Sequence, residues 1–349
     1  MTATPTAPPT PVSPLAAGSP RGGLLDVISN PKYGPVLITA VLFVLMFGLG
    51  GARYEGFLSG QVFVNLFVDN AYLLVLAVGM TFVILTGGID LSVGAVVALS
   101  TVIAAKLLEG GANPGVTIVV VLVATSFLGL LVGLMIHVFS VQPFIATLAA
   151  MFLARGLCYV IAPQSISITE GFFTAMAQTA VPLGGLNVSL SALIAVVVVI
   201  VAFVVLRYTR FGRTVYAIGG SEPSARLMGL PVSRTKVLVY VVSGFCSGLS
   251  GILFSFYTLS GYSLTAIGTE LDAIAAVVIG GTLLSGGYGF VLGSVLGVLV
   301  LGTIQTMITF EGTLSSWWTR IFIGALLLVF IVLQKVLTGR ARTGAGVPT

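Results

Sequence analysis

Long apolar segments separated by short polar turns dominate the chain from residue 35 onward. A helix that rises 1.5 Å per residue needs about 20 apolar residues to cross the hydrocarbon core of a bilayer. The pattern therefore predicts an all-α polytopic membrane protein with about ten transmembrane helices. The expected spans are 35–52, 62–86, 90–108, 115–137, 143–161, 188–206, 237–259, 269–284, 288–310 and 318–337.

The longest polar interruption between these spans is the stretch RYTRFGRTVYAIGGSEPSARLMGLPVSRTK at residues 207–236. It contains six of the fifteen basic residues, and Glu222 is its only acid. Loops rich in Lys and Arg stay on the cytoplasmic side of a membrane. With ten spans, this placement also puts both termini in the cytoplasm. The six cations are Arg207, Arg210, Arg213, Arg226, Arg234 and Lys236.

The same loop contains the signals of a short helix of its own. Ser221 is a typical N-cap, Glu222 and Pro223 suit the first helical positions, and Gly229 followed by Pro231 supplies a stop. Such a helix, framed by cations, is a docking surface for a soluble partner. The alternative is a basic loop that only sets the orientation of the chain.

Composition agrees with a membrane protein and excludes several other classes. Hydrophobic residues make up 57% of the chain and charged residues 7%, against about 25% charged residues in a soluble domain. The sequence contains no basic stripe with interleaved aromatic residues, so it does not predict a nucleic-acid partner. Two cysteines in different apolar segments and a single histidine predict neither a disulfide framework nor a metal site or cofactor.

Domain boundaries follow from these patterns. Residues 1–34, rich in Pro, Thr and Ala, are expected to form a disordered cytoplasmic tail. Residues 35–338 form the transmembrane domain with its cytoplasmic loop at 207–236, and residues 339–349 form a cytoplasmic C-terminal tail. Small residues recur at every fourth position in several spans, which predicts a tightly packed bundle or a dimer.

Two Gly-rich segments resemble each other. GGIDLSVG at residues 87–94 and GGTLLSGG at residues 280–287 match at five of eight positions, and each precedes a span that runs outward. Glycine-rich backbone at membrane depth is tolerated only where protein or a water-filled cavity surrounds it. The match indicates either a parallel internal repeat or two similar helix breaks.

Three polar sites inside the apolar spans have two interpretations each. Asp90 either caps the third span or takes part in an inner gate. Thr269 and Asp272 have capping-box spacing, with contact to a sugar or receptor as the alternative. Arg155, about six residues inside the fifth span, is either paired within the bundle or extends to the membrane surface.

Amides and hydroxyls with few charges suit a pathway for a neutral polyol such as a sugar. The candidate pathway residues are Asn70, Asp90, Ser92, Gln142, Arg155, Asp272 and Gln305.

Other functions compete with sugar transport. The sequence GLSG at 248–251 is found in rhomboid-type intramembrane proteases, but the only histidine, His137, comes before this serine and not after it. An ion-coupled secondary carrier for a small polar solute is the stronger alternative. No GxxxxGK[ST] phosphate loop occurs, so ATP hydrolysis would require another chain. We expect a transport subunit and not an enzyme.

Three segments carry a family resemblance. They are VGMTFVILTGGIDLSVGAVVALS at 78–100, RYTRFGRTVYAIGGSEPSARLMGL at 207–230 and ELDAIAAVVIGGTLLSGGYG at 270–289. Together they resemble the membrane subunits of bacterial ribose- and galactose-type ABC sugar importers. GGTLLSGG and FEGTLSSWWTRI at 310–321 look most similar to the galactofuranose-type branch. The chain differs from the family pattern at two positions of the loop. It has Ser221 where the family usually has Asn, and Met228 where the family often has Ser.

The resemblance implies an ATP-driven permease of the inner membrane for a neutral monosaccharide, with galactofuranose or a related sugar as substrate. It also implies four partners: an ABC ATPase subunit, a periplasmic sugar-binding protein, a second permease subunit and the lipid bilayer. The ATPase would dock on the loop, where the matching residues are Arg213, Gly219, Gly220, Glu222, Ala225 and Gly229.

Overall fold

The computed structural model of the chain describes residues 34–315 and 317–344. The expected N-terminal tail up to residue 33 and the last five residues lie outside them. The helices are α1 (Gly34–Arg53), α2 (Gly60–Asp69), α3 (Ala71–Leu85), α4 (Val93–Glu109), α5 (Pro114–Val138), α6 (Pro143–Ile161), α7 (Gly171–Gln178), α8 (Leu190–Tyr208), α9 (Arg210–Gly220), α10 (Glu222–Leu227), α11 (Val232–Thr258), α12 (Thr269–Ile279), α13 (Val291–Glu311) and α14 (Trp317–Gly344). The strands are β1 (Ile166–Ser167), β2 (Ala180–Leu183), β3 (Leu186–Ser189) and β4 (Ser260–Gly261).

The expected fold class, an all-α polytopic membrane protein, is confirmed. Among the described residues, six helices are long and apolar enough to cross a bilayer: α1, α5, α6, α8, α11 and α13. A seventh span is the bent pair of α2 and α3. The helices α4 and α12 have only 17 and 11 residues, so the count of ten full spans is not confirmed.

The expected span over 62–86 is not one straight helix. Helices α2 and α3 meet at an angle of 58°. Asn70 lies at the bend and its Nδ2 donates a hydrogen bond to the carbonyl oxygen of Leu66 at 2.9 Å. On α13, a Cβ atom added at Gly302 would lie 2.6 Å from Asn70 Nδ2. The bend therefore occurs where a glycine of a neighbouring helix makes room for the amide.

The core is built around α3, which is buried on every side except at Tyr72. A helix that is apolar all round is expected to be buried all round, and α3 packs against α8, α11, α12 and α13. The peripheral helices differ because they expose large apolar side chains, such as Val123 on α5, Phe152 on α6 and Ile200 on α8. These exposed apolar faces suit contact with lipid.

The small-residue faces serve contacts within the bundle. A Cβ atom added at Gly129 of α5 would lie 2.3 Å from the carbonyl oxygen of Tyr240 on α11. One added at Gly297 of α13 would lie 1.8 Å from the carbonyl oxygen of Ala276 on α12. Both positions require glycine because two helix backbones touch there.

The two ends of the bundle differ. We call the end that carries the loop at 207–236 the basic end, and the opposite end the far end. At the far end, β1 pairs with β4 and β2 pairs with β3. Helix α7 begins at Glu170, whose carboxylate accepts the N–H of Phe173 at 3.0 Å. The buried ring of Phe173 lies 4.8 Å from that of Phe256, so the far-end loop is packed onto α11.

Candidate functional site

The loop at 207–236 folds into two helices, one of which the sequence analysis missed. Helix α9 begins after Thr209, whose hydroxyl accepts the N–H of Gly212 at 3.1 Å. This N-cap threonine was a signal that the sequence analysis passed over. The expected helix after Ser221 is confirmed as α10, and the Ser221 hydroxyl accepts the N–H of Ser224 at 3.3 Å. Gly229, with φ of +72°, reverses the chain after α10 as expected.

Helix α10 is anchored on one side and open on the other. Ala225 is fully buried and packs with Ile218 of α9 and Val232 of α11. Leu227 and Met228, in contrast, are 90% and 67% exposed. Two large apolar side chains are therefore presented outward from a support that joins α9, α10 and α11.

Ion pairs hold the start of α10 in place. The Glu222 carboxylate pairs with Lys236 Nζ at 2.8 Å and with Arg226 Nη2 at 2.7 Å. The hydrogen bond from Lys236, helped by that from Arg226, lowers the pKa of the Glu222 carboxyl, although partial burial opposes the shift. Lys236 belongs to α11, so the pair links α10 to a long span. The side chain of Arg213 on α9 is exposed.

Helix α9 rests on the junction of two polar segments. A Cβ atom added at Gly219 would lie 1.9 Å from the carbonyl oxygen of Leu85 and 2.1 Å from the amide nitrogen of Gly287. These two groups form a hydrogen bond with each other at 2.9 Å. Tyr216 Oη, one turn earlier, donates to the carbonyl oxygen of Gly289 at 2.8 Å. The neighbouring Gly220 is exposed, and an added Cβ atom would meet nothing within 4 Å.

The two polar segments are the breaks after α3 and α12. We call residues 86–92 the first break and residues 280–290 the second break. At the end of α3, the N–H of Gly88 bonds to the carbonyl of Val83, and at the end of α12 the N–H of Thr282 bonds to that of Val277. The residue just before each of these donors has positive φ: it is Gly87 in the first break and Gly281 in the second. Both helices thus end in the same motif.

This equivalence places Gly87 opposite Gly281, whereas the sequence match placed Gly87 opposite Gly280. The alignment of the two helix ends is therefore shifted by one residue from the alignment of the sequences GGIDLSVG and GGTLLSGG. The two segments are alike because both terminate a helix with glycine, and the five identities do not mark structurally equivalent positions.

Asp90 forms a buried hydrogen-bonded cluster in the first break. It is 3% exposed, and its Oδ1 accepts from the amide and the hydroxyl of Ser92 at 3.0 and 2.6 Å. Its Oδ2 accepts from the hydroxyl of Ser243 on α11 at 2.7 Å. Ser92, and not Asp90, occupies the N-cap position of α4, so the capping interpretation of Asp90 is wrong. Its carboxylate links the first break to α11.

The predicted pathway residues do not converge on one site. Asp90 and Ser92 are neighbours in the first break, while Asn70 lies at the bend between α2 and α3. Gln142 is exposed at the start of α6 and Gln305 is exposed on α13. The role of these residues in transport stays a prediction.

The predicted capping box at Thr269 and Asp272 is wrong. Gly268, with φ of +84°, is the N-cap of α12, so Thr269 is already the first helical residue. The Glu270 carboxylate, and not that of Asp272, reaches back to the amide of Gly268 at 3.2 Å. The left-handed glycine shifts the start of the helix by one residue.

Arg155 is paired within the bundle, and its partners are main-chain carbonyl groups. Its guanidinium donates to the carbonyl oxygens of Ser263 and Thr265, the latter at 2.8 Å. From the other side, Arg320 of α14 donates to the carbonyl oxygen of Ile267 at 3.1 Å. The connection between β4 and α12 is thus held by two arginines from different spans.

Comparison with known proteins identifies the family. Residues 62–331 match the family described as "Branched-chain amino acid transport system / permease component". The chain is 47% identical over 307 residues to the inner membrane ABC transporter permease protein YjfF of Escherichia coli, which covers 87% of this chain and 92% of that protein. It is 42% identical to the fructose import permease protein FruG of Bifidobacterium longum, over 88% of this chain and 95% of that protein.

Similarity extends to the ribose import permease protein RbsC of Bacillus subtilis, at 37% identity with 87% of this chain and 92% of that protein covered. No solved structure matches the chain significantly. The chain therefore belongs to the family of ABC transporter permease components, and it is a transport subunit and not an enzyme.

Proposed function

We propose that this chain is the membrane-spanning subunit of an ATP-driven importer that passes a neutral monosaccharide across the bacterial inner membrane. The observation that carries the proposal is the position of Gly219. It lies on the hydrogen bond between Leu85 and Gly287, where α9 touches both breaks at once. A force applied to the loop at 207–236 therefore reaches α3 and α12 together.

The orientation of the chain follows from its charges. Six cations in the loop at 207–236 favour the cytoplasm for the basic end, and both termini are then cytoplasmic as well. The far end, with its strands and α7, faces a soluble sugar-binding protein. This orientation presents α9 and α10 to a cytoplasmic ATPase.

The docking surface consists of α10 and the residues that frame it. Leu227 and Met228 supply apolar contact area, and apolar anchors surrounded by polar residues are typical of binding hot spots. Arg213 and Gly220 remain open to a partner. Ala225 and Glu222 fasten α10 to α9 and α11, so an ATPase that moves α10 moves the whole unit.

The substrate class is supported by the relatives. FruG and RbsC are named as import permeases for fructose and for ribose. We infer that this chain takes a sugar of similar size, with galactofuranose as the finer proposal, supported by the resemblance of residues 310–321 to that branch. A second permease subunit, identical or related, completes the pathway.

The proposal is tested by reconstituting the chain in vesicles with its ATPase, its second permease and its sugar-binding protein. ATP-dependent uptake of labelled galactofuranose, ribose and fructose is measured in parallel. Uptake that requires ATP and the ATPase supports the proposal, and the preferred sugar decides the branch. Uptake that follows an ion gradient without the ATPase would establish the secondary carrier instead.

The docking surface has its own test. Replacing Leu227 and Met228 together by Glu should abolish copurification of the ATPase, because two charges would enter an apolar contact. The control is Leu183→Glu, which places one such charge on an exposed leucine at the far end. If the double variant retains the ATPase as well as the control does, α10 is not the docking surface.

A further inference from the structure

The exposed faces of the bundle are of two kinds. On α5, α6 and α8, exposed side chains such as Val123, Phe152 and Ile200 are apolar and suit contact with lipid. On α2, α12 and α14, in contrast, Asp69 next to the bend and Arg320 are exposed, and Asp272 is half-buried. Charged groups facing hydrocarbon are costly and almost always face a bundle interior or a water-filled cavity. This second face is therefore turned away from lipid.

Aromatic rings lie among these charges. Tyr72, the half-buried first-turn residue of α3, has its ring 5.0 Å from that of Phe254 on α11 at an interplanar angle of 85°. The carbonyl of Tyr72 accepts the hydroxyl of Ser250 at 2.8 Å, which fixes this residue at the bend. One turn beyond Phe254, Tyr257 is 61% exposed. The rings of Tyr72 and Phe254 are therefore packed against each other, and Tyr257 next to them offers an exposed aromatic surface.

Charges and rings belong to one cluster. Arg320 binds the carbonyl oxygen of Ile267 at 3.1 Å, directly before α12, whose first turn carries Asp272. Asp69 ends α2, three residues before Tyr72 across the bend. The electrostatic interactions of Tyr72 with Asp272, Tyr257 and Arg320 agree with this placement. Five helices, α2, α3, α11, α12 and α14, thus bring three aromatic rings, two carboxylates and one guanidinium to the same face.

We propose that this cluster is a contact site for the neutral sugar, in which an aromatic ring stacks on the C–H face of the sugar ring. Each sugar hydroxyl can both donate and accept, so carboxylates accept from some hydroxyls and the guanidinium donates to others. A small set of polar groups among aromatic side chains is the usual composition of a small-molecule site. The inference rests on the proposed transport of sugar and assigns residues to it.

The open geometry suits a permease. Tyr257 is exposed, so the cluster holds the sugar on one side only and releases it as readily as it binds it. Charged solutes are disfavoured because both signs of charge are present within the same face. The cluster contains only one residue of the predicted pathway set, Asp272, and none of its aromatic members was predicted.

The first experiment compares Tyr257→Ala with Tyr257→Phe in the reconstituted importer. The alanine variant should transport sugar about tenfold more slowly at a fixed low sugar concentration, which corresponds to about 1.4 kcal/mol of activation free energy. The phenylalanine variant keeps the ring and should retain most of the activity. The control is Tyr159→Ala, because Tyr159 is 46% exposed on the apolar face of α6. Equal losses in Tyr257→Ala and Tyr159→Ala would overturn the inference.

A second experiment measures access directly. In the variant Tyr257→Cys, a water-soluble maleimide should label residue 257, and saturating sugar should slow this labelling several-fold. Background is low because the two native cysteines, Cys158 and Cys246, are buried. No labelling, or labelling that sugar does not slow, would overturn the inference even if wild-type uptake is normal. Absence of ATP-dependent sugar uptake in the wild type would instead overturn the proposed function itself.

Discussion

The first and second breaks share a helix terminus and differ in what stabilises the residues that follow it. Each ends its helix with a glycine of positive φ and a bond from the next residue back into the helix. In the second break, backbone bonds then close the turn, since Leu283 donates to Tyr288 and Gly286 donates to Leu283. In the first break, the Asp90 carboxylate takes this role through Ser92 and Ser243.

This difference indicates how the two breaks respond to the loop at 207–236. The second break is closed by its own backbone, so we expect it to move as a unit. The first is tied through Ser243 to α11, the helix that follows the loop and carries Lys236 at its start. We therefore expect movement of the loop to reach the first break by two routes, through Gly219 and through α11, and the second break through Gly219 and Tyr216.

The largest effect is expected where both breaks are disturbed together. Gly219→Val places a branched side chain within 2 Å of the Leu85 carbonyl, where rigid backbone cannot give way. We expect loss of the folded permease or of all transport, measured by yield of monodisperse protein and by uptake. Gly220→Ala is the control, because its added Cβ atom meets nothing within 4 Å. Normal yield and transport in Gly219→Val would refute the proposed contact.

The next largest effect is expected from a substitution that changes the first break and leaves the second unchanged. Asp90→Leu gives the first break the residue type found at the equivalent Leu284. It leaves the Ser243 hydroxyl and the Ser92 amide and hydroxyl without their acceptor. Buried unsatisfied groups cost about 1–3 kcal/mol each, so we expect a loss of about 3 kcal/mol or more. Unfolding in detergent measures this loss. Ser243→Ala should add little to Asp90→Leu; additive losses would show that the two residues are not coupled.

Alanine substitutions at three glycines with positive φ compare how much the contacts around each glycine add to the loss of stability. At Gly281 an added Cβ atom lies 2.8 Å from Pro35, and at Gly87 it lies 3.2 Å from the Ser285 carbonyl. Gly111, with φ of +79° and nothing within 4 Å, isolates the backbone strain of about 1 kcal/mol. We expect losses in the order Gly281→Ala, Gly87→Ala, Gly111→Ala in thermal unfolding. Equal losses at the three positions would mean that the contacts do not matter, because the backbone strain is similar at all three.

The smallest effect concerns Glu222, which lies outside both breaks. Its pKa is lower in the folded protein, so its contribution is present at neutral pH and is lost as pH falls below its ordinary value of 4.5. Glu222→Gln should cost about 0.2–1 kcal/mol at pH 7 and nothing in acid. The control Glu109→Gln breaks a more exposed pair with Lys106. A loss that does not change with pH would exclude the ion pairs as its cause.

Apolar length predicted most helices but could not predict where a span bends or stops. The range 143–161 agrees with α6 because Pro143 starts it and polar residues end it. The bend at Asn70 depends on Gly302, which is distant in sequence. The partners of Arg155 are peptide carbonyls, which every residue has, so no sequence pattern could identify them. Asp90 was recognised as unusual, whereas its link to Ser243 required the fold.

Arg155 binds main-chain oxygens. Its contact therefore tolerates substitution of the residues that supply those oxygens, but it is sensitive to the length of the connection between β4 and α12. Any side chain at 263 or 265 leaves the same two carbonyls in place, so sequences in this connection can diverge without loss of the contact. An insertion or deletion of a single residue between β4 and α12 would instead move those carbonyls away from both Arg155 and Arg320. Among related permeases, this connection should therefore vary in composition far more than in length.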